Sequence, residues 1–243
     1  LASDCIPSEI SAAIIFAFIF GGCYHNSAFY YDGMLKEKRY LANHDASVQL
    51  KYVSEGRVWV TSGKVIDKKN GVVLSVAHGI HREVTKIFVR MPPDAEDDEW
   101  LEARLLAVDF EWDMAIMTVD PAKAKFQREV VVSVRNSSEL ESERVYLVSY
   151  PFGFLQHTPT FGYIVSVHPR RSDIGDIGYP HLAVHIWAQR GSSGGSLFLQ
   201  SDHKLVGLTR FYVNGDSTYP TLLFIPPEKI REFLDKNGIK YNR

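Results

Sequence analysis

Cysteine is nearly absent from this chain. Cys5 and Cys23 are the only two in 243 residues, and both fall within the first 23. Residues 24–243 therefore cannot contain a disulfide, whatever the compartment. The His and Cys spacing of a zinc site is missing as well, so a metal centre is not expected. There is no excess of basic charge. Twenty-seven Lys and Arg stand against 29 Asp and Glu, a formal charge of −2, which leaves no electrostatic footprint for nucleic acid. A long hydrophobic run is also lacking. Ile10 to Gly22 is apolar apart from Ser11, but a membrane-spanning helix needs about 20 such residues. Internal repeats and low-complexity segments are absent.

What the first residues do contain suits the core of a signal peptide. Phe20-Gly21-Gly22-Cys23 resembles a loose bacterial lipobox, in which Cys23 would carry the lipid. Residues 1–23 stay open to three readings: a lipoprotein signal, an ordinary signal, or a buried helix. No Lys or Arg precedes the run, which counts against a standard signal. The first two readings place the protein in the cell envelope or periplasm, with membrane association through its N-terminus. Residues 24–47, rich in Tyr, Asn, His and charge, read as a linker or irregular arm.

From Val48 the pattern is that of short strands. Val48 to Val53 alternates, as does Val58-Trp59-Val60. Asn70-Gly71, between Val65-Ile66 and Val72-Val73, predicts a hairpin turn. Ile87-Phe88-Val89 and Leu101 to Ala107 flank an acidic loop, Asp94 to Glu99, which reads as solvated surface. Pro121 to about Glu129 reads as a connection, after which short strands resume and run to about Pro226. Arg170 to Pro180 reads as a loop. Pro227 to Leu234 has helical spacing, and Asn237-Gly238 stops it.

Three stretches carry chemistry. In Gly191-Ser192-Ser193-Gly194-Gly195-Ser196 a small nucleophile sits among glycines, which allow a tight turn with several N–H groups facing one point. Acyl transfer needs a hydroxyl beside donors for the developing oxyanion. Val72 to Gly79 is a buried-looking strand running into His78. Ala107 to Ile116 puts Asp113 directly before the apolar run Met114-Ala115-Ile116-Met117, with Asp109 as a competitor. Ser192, Ser193 and Ser196 compete as nucleophile, and only Ser193 is the centre of a G-x-S-G-G pattern. The order His78, Asp113, Ser193, with gaps of 35 and 80 residues, is one in which a catalytic triad recurs.

With these residues the chain resembles the trypsin-like superfamily of serine proteases and, within it, the HtrA-like (DegP-like) group. The resemblance covers roughly residues 55 to 237. Thr61-Ser62-Gly63 looks like the glycine-bearing strand ahead of the histidine, and Tyr150-Pro151-Phe152-Gly153 with Gly162 to Ser166 looks like "G-N-P-F-G … G-I-V-S". Leu205-Val206-Gly207-Leu208 and Phe224-Ile225-Pro226 match the strand after the nucleophile and the approach to a final helix. The departures are Ser149 in place of glycine, Ser196 in place of Pro or Ala, and Gly79 after the histidine. Ser192 also stands where trypsin-type zymogens place an aspartate.

The resemblance implies an all-β fold of two six-stranded antiparallel β-barrels with a short C-terminal helix. Barrel one would cover about 48–120, barrel two about 130–226 and the helix 227–237, within a protease domain of 48–240; the PDZ domain common in the HtrA-like group is not expected in this sequence. It further implies a serine endopeptidase that needs no cofactor. His78 would be the base, Asp113 its orienting partner and Ser193 the nucleophile, with an oxyanion hole from the N–H groups of Gly191 and Ser193. Trp187 would form the floor of the primary pocket and Phe211 and Tyr212 a wall. Without a carboxylate at that floor, cleavage after small aliphatic residues is expected. Polypeptides are the expected substrates, and a homotrimer fits the family. A peptide-binding pseudoprotease and a related acyl hydrolase are the competing readings.

Overall fold

The computed structural model describes residues 38–80, 84–90, 100–153, 159–167, 181–213 and 221–243, and the side chains of 42–80, 84–90, 100–153, 159–167, 181–210 and 221–243 among them. The chain divides into two compact units, Leu1–Tyr40 and Leu41–Arg243. Of the first unit, only 38–40 are described, at the start of helix α1 (Lys38–Asp45). Cys23, the acidic loop 94–99 and the loop 170–180 lie outside the described residues. Among those described, no helix is long and apolar enough to cross a membrane.

The second unit holds two closed barrels. Barrel one consists of β1 (Ser47–Ser54), β2 (Arg57–Asp67), β3 (Val72–Ser75), β4 (Lys86–Arg90), β5 (Trp100–Asp109) and β6 (Met114–Thr118). They close in the order β1-β2-β3-β6-β5-β4, antiparallel throughout. After a short helix α2 (Pro121–Ala124), barrel two is built from β7 (Arg144–Val148), β8 (Thr160–Ser166), β9 (Leu182–His185), β10 (Ser196–Leu199), β11 (Leu205–Val213) and β12 (Thr221–Ile225). These close as β10-β11-β12-β9-β8-β7. Helix α3 (Pro227–Lys236) follows and packs along β11. The all-β, two-barrel expectation with its terminal helix holds.

Alternating and wholly apolar strands each fill a barrel. Leu50, Val65, Leu74, Val89 and Ile116 are fully buried, as are Leu147, Ile164, Val184, Leu197 and Phe224 in the second. Burying one such side chain is worth about 1.5–3 kcal/mol. Register shifts bend the strands at Val65/Asp67, Leu105/Ala107 and Thr209/Phe211, the local kinks that let a short sheet close. The hairpin at Asn70-Gly71 forms, and the Asp67 carboxylate accepts from both Asn70 N (3.1 Å) and Asn70 Nδ2 (2.6 Å).

The stretch read as an irregular arm ends in α1 instead. Little apolar periodicity announces that helix, because a polar side chain holds its end. Asn43 is buried, and its Nδ2 donates to Tyr146 Oη (2.9 Å) and His203 O (2.7 Å) of barrel two. Its carbonyl accepts from Ser47 Oγ of β1 at 2.9 Å and from Lys64 Nζ of β2 at 3.4 Å. Lys64 is fully buried, donates also to Ser47 Oγ, and lies 5.3 Å from the ring centroid of Phe198 in β10. Burial pushes its ammonium pKa well below the ordinary lysine value.

Candidate active site

β3 ends at Ser75, and the chain turns at once to present His78, whose side chain is 43% exposed. Asp113 lies immediately before β6, the neighbour of β3, and is buried. Its carboxylate grips His78 twice, accepting from the backbone N (2.7 Å) and meeting ring Nδ1 at 2.7 Å. With Nδ1–H given to the carboxylate, Nε2 is left as the proton acceptor. Ala77 N donates to Asp113 O at 3.1 Å, closing the pair into one small backbone unit. Asp113 has φ +59, a left-handed conformation that Asp tolerates better than most side chains. Asp109, its competitor, does not reach the histidine. Its carboxylate accepts from Trp112 N (2.9 Å) and shapes the loop that delivers Asp113.

The Ser193 loop enters from barrel two, just before β10, and docks on barrel one. Ser62 N, in β2, donates to Ser193 O at 2.7 Å. Gly194 has φ +76, and a Cβ there would lie 2.1 Å from Ser62 O and 2.4 Å from Ser75 Oγ. Only glycine lets the chain lie this close to the strand that leads to His78. Ser193 is half-buried, and its hydroxyl makes no hydrogen bond to another described residue.

The carbonyls around Ser193 are all tied down. Arg190 O accepts from Phe152 N (2.5 Å), Gly191 O from Ser62 Oγ (2.8 Å), Ser192 O from Gly195 N (2.8 Å) and Ser193 O from Ser62 N. In a trans peptide the N–H points opposite to the C=O of the same unit. Fixing Arg190 O therefore fixes the direction of Gly191 N–H, and fixing Ser192 O fixes that of Ser193 N–H. Neither of these N–H groups donates to a described residue. Gly191 holds φ +92, and a Cβ there would meet Tyr150 O at 2.6 Å. Two open donors beside a hydroxyl are what an oxyanion needs.

Residues for which no holding role was expected do much of this work. Ser192 is buried, its Oγ accepting from Ser149 Oγ (3.0 Å) and from Gln189 N (3.3 Å). The two departures, Ser149 for glycine and an uncharged Ser192, thus answer each other across the fold. Their coincidence was the one available signal. Phe152, at φ +56, is a strained position for a bulky side chain, in the turn Pro151–Gly153 that supplies the donor to Arg190 O. Ser196, the other serine of this stretch, is fully buried within β10.

Of the residues expected at the primary pocket, Trp187 is 47% exposed and its carbonyl accepts from Thr160 Oγ1 at 2.8 Å. Phe211 and Tyr212 lie in β11 opposite Leu223 and Leu222, and their side chains lie outside the described set. Among the described residues no group of His, Cys, Asp or Glu could hold a metal ion.

Two barrels with this loop between them define the class, and comparison with known proteins gives the family. The profile of the trypsin-like peptidase domain matches residues 52–208, more than half of the chain. The chain belongs to the trypsin-like peptidase family. Solved structures similar to it include HtrA-type proteases. One structure of the HtrA-type protease AlgW with a tripeptide has TM-score 0.66 at 17% identity, over 82% of this chain and 62% of that one. A second has TM-score 0.65 at 17% identity, over 83% and 64%. A serine endoprotease from Yersinia pestis has TM-score 0.64 at 20% identity, over 82% and 65%. The chain thus spans less than two thirds of the length of each. No curated protein matches it.

Proposed function

We propose that the protein is a serine endopeptidase working through His78, Asp113 and Ser193. The observation that carries this is the pair of open N–H groups, Gly191 and Ser193, flanked by carbonyls that are all engaged elsewhere. Two donors held in fixed directions beside a hydroxyl suit the negative oxygen that develops in acyl transfer. Each donor of this kind contributes about 2.7–4 kcal/mol to the transition state.

In the reaction Ser193 Oγ attacks the peptide carbonyl carbon while its proton passes to His78 Nε2. The negative oxygen settles against Gly191 N–H and Ser193 N–H. Collapse of that intermediate breaks the C–N bond, and His78 returns the proton to the leaving amine. Water repeats the sequence on the acyl-enzyme, releasing a carboxylic acid and restoring Ser193. Asp113 holds the imidazole in its working tautomer and stabilises the imidazolium that forms. The missing Ser193–His78 hydrogen bond does not weigh against this, since such bonds commonly tighten only when substrate is bound.

Polypeptides are the substrates this site suits, and the tripeptide bound to the neighbour AlgW is of that class. The half-exposed Trp187 supports a shallow apolar pocket and cleavage after Val, Ala, Ile or Leu. Residues 10–23 support action in the cell envelope, with lipid on Cys23 as the tether; labelled palmitate incorporation, compared with Cys23→Ala, tests that part. For the catalytic reading, a fluorophosphonate probe should label the protein at Ser193. Label should be lost in Ser193→Ala and strongly reduced in His78→Ala. No labelling of the folded wild-type protein would favour a peptide-binding scaffold instead.

A further inference from the structure

Ser62 lies in β2, sixteen residues before His78 in sequence and in the other barrel from Ser193. It is buried, and every polar atom it owns is spent on three segments that converge there. Its N–H donates to Ser193 O (2.7 Å) and its hydroxyl to Gly191 O (2.8 Å). The same hydroxyl accepts from Tyr150 N at 2.8 Å, and its carbonyl accepts from Ser75 Oγ at 2.6 Å. We infer that Ser62 is a positioning residue that sets the oxyanion hole of Gly191 and Ser193; this rests on the serine-protease reading above.

Ser62 acts by two routes. The first is direct. Its Oγ and N–H hold the carbonyls of Gly191 and Ser193, so the peptides on both sides of the Ser192–Ser193 peptide, the one that carries Ser193 N–H, are fixed. The second runs through the turn at Tyr150. Ser62 Oγ fixes Tyr150 N, and Tyr150 O in turn accepts from Gly153 N at 3.2 Å. That turn holds Phe152 in its left-handed conformation, aiming Phe152 N at Arg190 O. Gly191 N–H belongs to the same peptide as Arg190 O, so its direction depends on this turn. Replacing the Ser62 hydroxyl with hydrogen releases Gly191 O and leaves Tyr150 N without its acceptor, so both routes loosen together.

His78 and Asp113 make no hydrogen bond to Ser62; they grip each other within barrel one. Loss of the hydroxyl should therefore harm the step in which oxyanion charge develops and leave substrate binding largely intact. Ser62→Ala should lower kcat by about 10–100-fold, somewhat less than outright loss of a donor, with KM within threefold of wild type. Affinity for a peptide boronic acid, whose tetrahedral adduct on Ser193 puts an oxygen in the hole, should fall by a similar factor. Ser62→Thr, which keeps the hydroxyl, should recover most of the loss. Should Ser62→Ala fail to fold, Ser62→Cys takes its place, with a weaker donor and the same expected split. A kcat within twofold of wild type would overturn the inference. So would equal losses in kcat and in substrate affinity, the mark of a merely structural residue. Fluorophosphonate labelling of the wild-type protein at Ser193 separates the two claims. Its absence sinks the catalytic reading and this inference with it, whereas labelling of wild type and Ser62→Ala at equal rates sinks only the inference.

Discussion

The two halves of the site are held by different means. The His78–Asp113 half is self-contained: both residues come from barrel one, flank neighbouring strands, and are joined by side-chain and backbone bonds only 35 residues apart. The Ser193 half is borrowed. It belongs to barrel two, yet it also leans on Ser62 of barrel one, beside bonds from the Phe152 turn and from Ser149. The His78–Asp113 pair should therefore be robust to changes elsewhere, whereas the Ser193 loop should respond to residues far from it in sequence. Lys64 and Asn43, buried where α1 meets both barrels, belong to this second pattern of long-range polar contacts.

The comparison can be broken most severely inside the self-contained half. Asp113→Asn keeps a residue that accepts the left-handed backbone but gives His78 the wrong hydrogen-bond partner. We expect kcat to fall about 10⁴-fold with little change in thermal unfolding. A loss under tenfold in steady-state kinetics would remove Asp113 from the role. In the borrowed half, Gly191→Ala introduces a Cβ 2.6 Å from Tyr150 O and 3.0 Å from Phe152 N at φ +92. Loss of one oriented donor should cost about 100-fold in kcat/KM, and labelling by a fluorophosphonate should slow in parallel. Activity within threefold of wild type would mean that the loop tolerates reorientation.

The smallest effect sharpens the comparison at the barrel interface. Burial disfavours the charged form of Lys64, so the unfolded chain binds more protons than the native one. Native stability is therefore penalised as pH falls below the unfolded lysine value of 10.5, and the penalty levels off below the native pKa. Lys64→Met removes that penalty, while Ser47 Oγ keeps its own bond to Asn43 O. Thermal melts near pH 7 should rise by about 2–4 °C, and the gap to wild type should narrow as pH approaches 10.5. A lower melting temperature near pH 7 would show that the Lys64 bonds outweigh its desolvation.

Much of the fold could be read along the chain because it is local. The Asn70-Gly71 hairpin, the alternating strands and the apolar stripe of α3 (Ile230, Phe233, Leu234) each rest on neighbours in sequence. His78, Asp113 and Ser193 were singled out by their immediate frames. What held them together was not readable. The bonds from Ser62 to Gly191 and Tyr150 span 129 and 88 residues, and a serine in a strand announces no such duty. Helix α1 was missed because one asparagine, bonded across 103 and 160 residues, stands in for an apolar face.

The central claim is that the two halves work as one catalytic unit, and a mutant cycle on peptide hydrolysis tests it directly. Ser193→Ala and His78→Ala should each abolish nearly all turnover, and the double variant should be little worse than either alone. Residual activity above a tenth in Ser193→Ala, or losses that multiply in the double variant, would contradict it.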